Sequence, residues 1–168
     1  MIFSCTKKVR DKLSKYYPVE EAKVEIGRYN WYVDLLVLDR KNYFLFTHAE
    51  TLFSFFVYMG TKRELQQLEV RFTKRLSEQL KQSIPQSLPQ LDKLLTSTPT
   101  RFVKTDSRSI LGSMRQLKLM ILAHLNYGNR SLATGYDAIN YHLNQMVMFT
   151  IELNYPDRQM AQLLREEA

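Results

Sequence analysis

The sequence predicts an α+β fold: one domain, residues 1–168, with an antiparallel β-meander of three to five strands packed against four to five helices. Three observations carry this expectation. Between Trp31 and Met59, apolar, β-branched and aromatic residues come in three short runs separated by polar turns. Beyond Gly60 the apolar spacing changes to that of a helix. The composition, 45% hydrophobic and 24% charged, is that of a globular chain, and a chain of this length removes roughly two-thirds of its unfolded surface from water.

Taken in order, Ile2-Phe3 begins a short strand. Thr6 is placed to cap a helix through about Tyr16 that turns Val9 and Leu13 inward, and Pro18 ends it. Residues 19–29, with weak alternation at Val24 and Ile26, read as loop or edge strand. Trp31–Leu38 is a largely buried strand, Asp39–Asn42 a four-residue turn, Tyr43–Thr47 the hairpin partner and Leu52–Met59 a third strand. Thr61-Lys62-Arg63-Glu64 fits a capping box, opening a helix to about Lys81 with Leu65, Leu68, Phe72, Leu76 and Leu80 on one stripe. The stretch Ser83–Pro89 is a break within the domain, followed by a short helix at Leu91, Leu94 and Leu95 and a short strand at Thr100–Lys104. Ile110, Met114, Leu117, Ile121 and Leu125 mark a helix that Gly128 closes. Another covers Tyr136 to about Met148, its end blurred by strand-like alternation of Val147, Phe149, Ile151 and Leu153. Pro156-Asp157 opens a last helix with Met160, Leu163 and Leu164 inward.

The formal charge of +7 is concentrated. Residues 1–18 hold Lys7, Lys8, Arg10, Lys12 and Lys15 against Asp11, and residues 107–136 hold Arg108, Arg115, Lys118 and Arg130 with no carboxylate. Two such segments attract a polyanion, nucleic acid first, although charge of this size also serves solubility. The lone Cys5 excludes an intramolecular disulfide, and the amino terminus has no signal-peptide pattern. The most apolar run, Leu52–Met59, falls far short of the ~20 residues of a membrane-spanning helix. The expectation is a cytoplasmic protein without a membrane partner.

Few residues look chemical. His48, His124 and His142 belong to no metal-ligand pattern, so no metal and no cofactor are expected. His48 and Glu50 share a face if extended, which suits either acid–base work or an ion pair that orders a turn. Cys5 precedes a helix start among cations, the setting of a reactive thiolate, and is equally a small buried hydrophobe. Phosphate-loop, dinucleotide and nucleophile-elbow motifs are absent. Tyr16, Tyr17, Tyr127 and Tyr136 interleave with basic residues as in single-strand binders, or simply edge a core. Thr105–Met114 gathers polar side chains at a helix start beside Arg108: an anion site, or a satisfied cap in which Gly112 admits a neighbouring backbone.

Several of these stretches resemble a bacterial family known as a domain of unknown function. Its opening R-C-T-x-K-L is similar to Ser4-Cys5-Thr6-Lys7-Lys8-Val9, and its W-Y-x-N-L-L to Trp31-Tyr32-Val33-Asp34-Leu35-Leu36. Its E-x-T-L is close to Glu50-Thr51-Leu52, without the residue between, and its R-S-V-L-G-T-M-N-D to Arg108-Ser109-Ile110-Leu111-Gly112-Ser113-Met114. The sequence departs from it with Asp34 for Asn and Arg115-Gln116 for N-D. The resemblance implies no activity; it singles out Cys5, Thr6, Lys8, Trp31, Glu50, Arg108, Ser109 and Gly112 as a shared surface, to which charge adds Arg115 and Lys118. The expected function is a non-enzymatic basic binding or regulatory protein acting on an anionic partner, nucleic acid first. One alternative is a small nuclease or toxin-like enzyme of a defence or toxin–antitoxin system, with His48 and Glu50 as acid and base and Arg108 holding a phosphate. Another is a protein–protein module paired with a cognate protein.

Overall fold

The aromatic runs of the middle third fold as the meander that their alternation requires. In the computed structural model, which describes residues 1–22, 27–87, 95, 99–127 and 132–166, β3 (Asn30–Leu38) pairs antiparallel with β4 (Lys41–His48), and β4 with β5 (Ser54–Tyr58). The hairpin turn is shorter than expected. Asp39 and Arg40 both adopt positive φ, 47° and 61°, and form a two-residue loop whose twist matches that of the strands, so the polar Lys41 and Asn42 already belong to β4.

The sheet does not stop at the meander. β1 (Ile2–Cys5) lies parallel to β3 on one side and to β6 (Arg101–Lys104) on the other, and β2 (Val19–Glu20) lies parallel to β6. The order is β2-β6-β1-β3-β4-β5: a mixed six-stranded sheet among the described residues, where the sequence predicts an antiparallel one. The parallel half joins strands whose partners lie 28 (Ile2 with Asn30) to 99 (Ile2 with Arg101) residues apart, and no local pattern announces such a pairing.

Six helices lie among the described residues: α1 (Lys7–Leu13), α2 (Lys62–Gln66), α3 (Leu68–Ser83), α4 (Arg108–Tyr127), α5 (Leu132–Asn144) and α6 (Pro156–Glu166). The capping box at Thr61 is present: Thr61 Oγ1 accepts from the Glu64 amide and Glu64 Oε2 from the Thr61 amide. The helix that it opens breaks once, at Gln67, between α2 and α3. One face of the sheet, with Phe3, Cys5, Trp31, Phe46 and Phe55, is covered by α1, α3 and α6. Phe72 of α3 stands edge-on to Phe3, Trp31 and Phe46 at ring distances of 4.9–5.0 Å. The other face, with Tyr32, Leu36, Leu45 and Phe56, is covered by Ile110, Met114, Leu117 and Ile121 of α4 and by Ile139 and Leu143 of α5.

The edge strand β5 is closed by side chains. Asn144 Oδ1 accepts from the Ser54 amide and its Nδ2 donates to the Ser54 carbonyl, at 2.7 and 2.8 Å; one helical turn back, Asn140 Oδ1 accepts from the Phe56 amide at 2.9 Å. Two amides on one face of α5 thus stand in for a seventh strand and leave these edge groups no vacancy for another chain. After α5 the strand-like alternation at Val147–Leu153 resolves into turns, because Phe149 and Leu153 have no sheet neighbour to pair with. The alternation at Val24 and Ile26, the helix at Leu91 and Leu94 and the cap at Gly128 lie outside the described residues. No helix of the described residues is long and apolar enough to cross a membrane.

Candidate functional site

β1 and β6 end side by side, Cys5 paired with Lys104, and the chain leaves them in opposite directions. After β1 it passes through Thr6 into α1 on one face of the sheet; after β6 it passes through Thr105–Ser107 into α4 on the other. In open α/β sheets, divergence of two connections from adjacent parallel strands marks the edge, outside the strands' carboxyl ends, where ligands bind in a crevice.

The polar groups of this edge are tied together. Thr6 occupies the N-cap position of α1, but its hydroxyl makes no cap bond; it donates instead to Asp34 Oδ1 at 2.8 Å. That carboxylate also accepts from the Leu35 amide at 2.8 Å and pairs through Oδ2 with Lys118 Nζ. Asp34, standing where the resembling motif has Asn, is therefore matched by a lysine reaching across from α4. Tyr32 donates its hydroxyl to Asp106 Oδ1 at 2.6 Å; burial and then this carboxylate push the phenol up to about 12, which keeps it a protonated donor. Ser107 Oγ accepts from the Ile110 amide at 3.3 Å and caps α4.

Around this knot Lys7, Lys8 and Arg108 are exposed and meet no carboxylate among the described residues. Arg115 is exposed two turns further along α4. Ser109 and Gly112 are exposed on the same helix. Open space surrounds Gly112, so no neighbouring backbone among the described residues explains that glycine.

The remaining candidates lie elsewhere. Cys5 is fully buried on the α1 face; burial raises its thiol to about 12, and the cations that suggested a thiolate do not reach it strongly enough to offset desolvation. Trp31 is a core ring, not a surface one. His48 is fully buried at the far end of β4, beside the amino end of β1. Its Nε2 donates to the Arg28 carbonyl at 2.9 Å, which fixes the tautomer and leaves Nδ1 to accept from the Thr51 hydroxyl at 3.0 Å and the Thr51 amide at 3.3 Å. Burial holds this imidazole down at about 4, hence neutral, and no carboxylate among the described residues serves it: Glu50 points to solvent in a turn, not an extended segment. The ring pins a turn in which Leu52 takes a φ of 55°. Cys5, Glu50 and Arg108 do not converge. Of the tyrosines, Tyr17 stacks on Phe102 at 4.5 Å and donates to the Gln66 carbonyl, a core-edge role; the Tyr127 and Tyr136 side chains lie outside the described ones. His124 and His142 stack between α4 and α5 at 5.6 Å, a juxtaposition that their sequence separation concealed, but no group of three metal-ligating side chains exists among the described residues. A cleft of about 480 Å³ between the end of α3 and α6, lined by Ser83, Ile84, Arg158, Ala161 and Arg165, contains none of the candidates.

A family described as a domain of unknown function (DUF6933) matches residues 2–159. The chain belongs to this family. The match takes in β1 and β6 with the connections that follow them, as well as α5 and the start of α6, beyond the last of the resembling motifs at Met114. No curated protein and no solved structure matches the chain.

Proposed function

We propose that this member of the DUF6933 family binds an anionic polymer, nucleic acid first, across the crevice at the carboxyl ends of β1 and β6. The observation that carries the reading is the divergence of α1 and α4 from paired strand ends, with Lys7, Lys8 and Arg108 exposed there and free of carboxylate partners among the described residues. The amide groups at the start of α4 add partial positive charge to the same place. Asp106 and, one turn along α1 from Lys7, Asp11 are the opposing carboxylates, two against three. Lys118, counted among the cations on sequence grounds, is taken by Asp34 and contributes none of the attraction.

The alternative of acid–base hydrolysis loses support at its base. A neutral His48 with both ring nitrogens occupied, fully buried away from the crevice, has neither the proton affinity nor the access that the role requires.

The test is fluorescence anisotropy with labelled single-stranded RNA and double-stranded DNA at ~50 mM salt, where phosphate contacts are strongest. Binding is expected to weaken with salt, and Lys7→Ala/Lys8→Ala/Arg108→Ala to reduce the slope of log affinity against log salt by roughly 2–3, close to one per lost contact. Absence of binding at that salt, or an unchanged slope in the triple variant, overturns the proposal.

A further inference from the structure

Two exposed apolar patches on this chain carry opposite charge. The first lies on α4, where Gly112, Arg115, Leu119 and Leu122 follow one another at spacings of three and four and are all exposed, Leu119 at 60%. From Arg108 to Tyr127 the helix contains no carboxylate. The second is the segment after α5, where Phe149 stands 88% exposed and Val147 and Leu153 are exposed beside it. From Gln145 to Asp157 that segment holds Glu152 and Asp157 and no lysine or arginine, and Glu152 meets no cation among the described residues. Single exposed apolar residues are ordinary; two clusters rimmed by opposite charge are not.

The geometry points to a second copy of this chain as the partner: we infer that the protein forms a two-fold dimer in which the Phe149 segment of each copy lies on the α4 stripe of the other. Phe149 fits beside Leu119; further along the same stripe Gly112, a glycine that costs helix stability and that no neighbour among the described residues requires, leaves the helix backbone bare. Glu152 then faces Arg115. One copy offers both patches, so the contact closes on itself with two equivalent halves. Pairing of α4 against α4 is disfavoured, because Arg115 stands within the stripe and would meet its own symmetry mate. The stripe's exposed leucines likewise disfavour a phosphate backbone as its occupant. The contact leaves Lys7, Lys8 and Arg108 at the strand ends unused, so this inference stands or falls separately from the proposed function.

The experiment is sedimentation velocity on the full chain from about 1 to about 100 µM, the range in which a contact of modest affinity is populated. The wild type is expected to reach twice its 19.9 kDa chain mass. Phe149→Ser, Arg115→Glu and Glu152→Arg are each expected to give a monomer with unchanged circular dichroism, since all three side chains are exposed. The Arg115→Glu/Glu152→Arg double variant is expected to restore the dimer. A wild type that stays monomeric at the highest concentration overturns the inference. So does a dimer indifferent to Phe149→Ser and to the charge reversals.

Discussion

The buried imidazole of His48 makes stability depend on pH in a way that can be worked out. In the unfolded chain this ring titrates at about 6.5; in the fold, burial holds it at about 4. Acid therefore protonates the unfolded form first. The contribution is complete above about pH 7.5 and is lost as pH falls through 6.5 towards 4, about 2 kcal/mol of it by pH 5. The structural reason is specific: a proton on Nδ1 removes the acceptor of both Thr51 bonds and charges a ring that has no counter-ion among the described residues and lies 4.9 Å from Trp31. Urea titrations at pH 7.5 and pH 5, followed through the fluorescence of Trp31, the only tryptophan, measure the loss. The wild type should lose about 2 kcal/mol more than His48→Asn, which is less stable at pH 7.5 but has no imidazole at this position to titrate. Equal losses in the two proteins would refute the claim that this ring is held neutral, and would reopen an acid–base role.

Two further outcomes follow from the same kind of geometry. With its thiol raised from 9.0 to about 12 by burial, Cys5 should react with a thiol-specific disulfide reagent at pH 8 about a thousandfold more slowly in the native protein than after denaturation; labelling at the unfolded rate would contradict its placement. Asn144→Ala removes both bonds to Ser54 and leaves an amide and a carbonyl of β5 unpaired; it should cost about 2–3 kcal/mol in urea unfolding and raise the tendency to aggregate, and a cost under about 0.5 kcal/mol would show that water replaces those bonds.

What was legible in the sequence was what is local. The meander, the capping box at Thr61 and the α4 stripe of Ile110, Met114, Leu117 and Ile121 each rest on residues within one turn or one hairpin of each other. The parallel half was not legible. Ile2–Cys5 is four residues long, and its neighbours Asn30–Val33 and Arg101–Lys104 are distant in the chain, so only the assembled sheet reveals that Thr6 and Ser107 open onto one crevice. The same distance misled at single residues. Thr6 stands where a cap is expected, yet its hydroxyl finds Asp34, twenty-eight residues away. His48 and Glu50 alternate like a strand, but the Leu52 turn begins between them. Cys5 sits among cations in sequence, while the parity of β1 sends its side chain beneath α1.

Charge shows the limit of counting along the chain most clearly. The first eighteen residues read as one basic block, but β2 brings Glu20 and Glu21 back alongside β6, where Glu20 binds Arg101 and Glu21 binds Arg10 and Lys104. Arg10 is thereby withdrawn from the surface field, as Lys118 is by Asp34. Which cations remain at the crevice is thus decided by the strand order β2-β6-β1-β3. That order assigns the carboxylates of β2 to the outer flank and that of β3 to the inner one, and Lys7, Lys8 and Arg108 stand between them. Moving Glu20 and Glu21 out of register would raise the net positive charge of the edge, by freeing Arg10, Arg101 and Lys104, without changing the composition at all. The anionic ligand proposed for this edge would therefore be selected by topology acting on charge, and not by the +7 total.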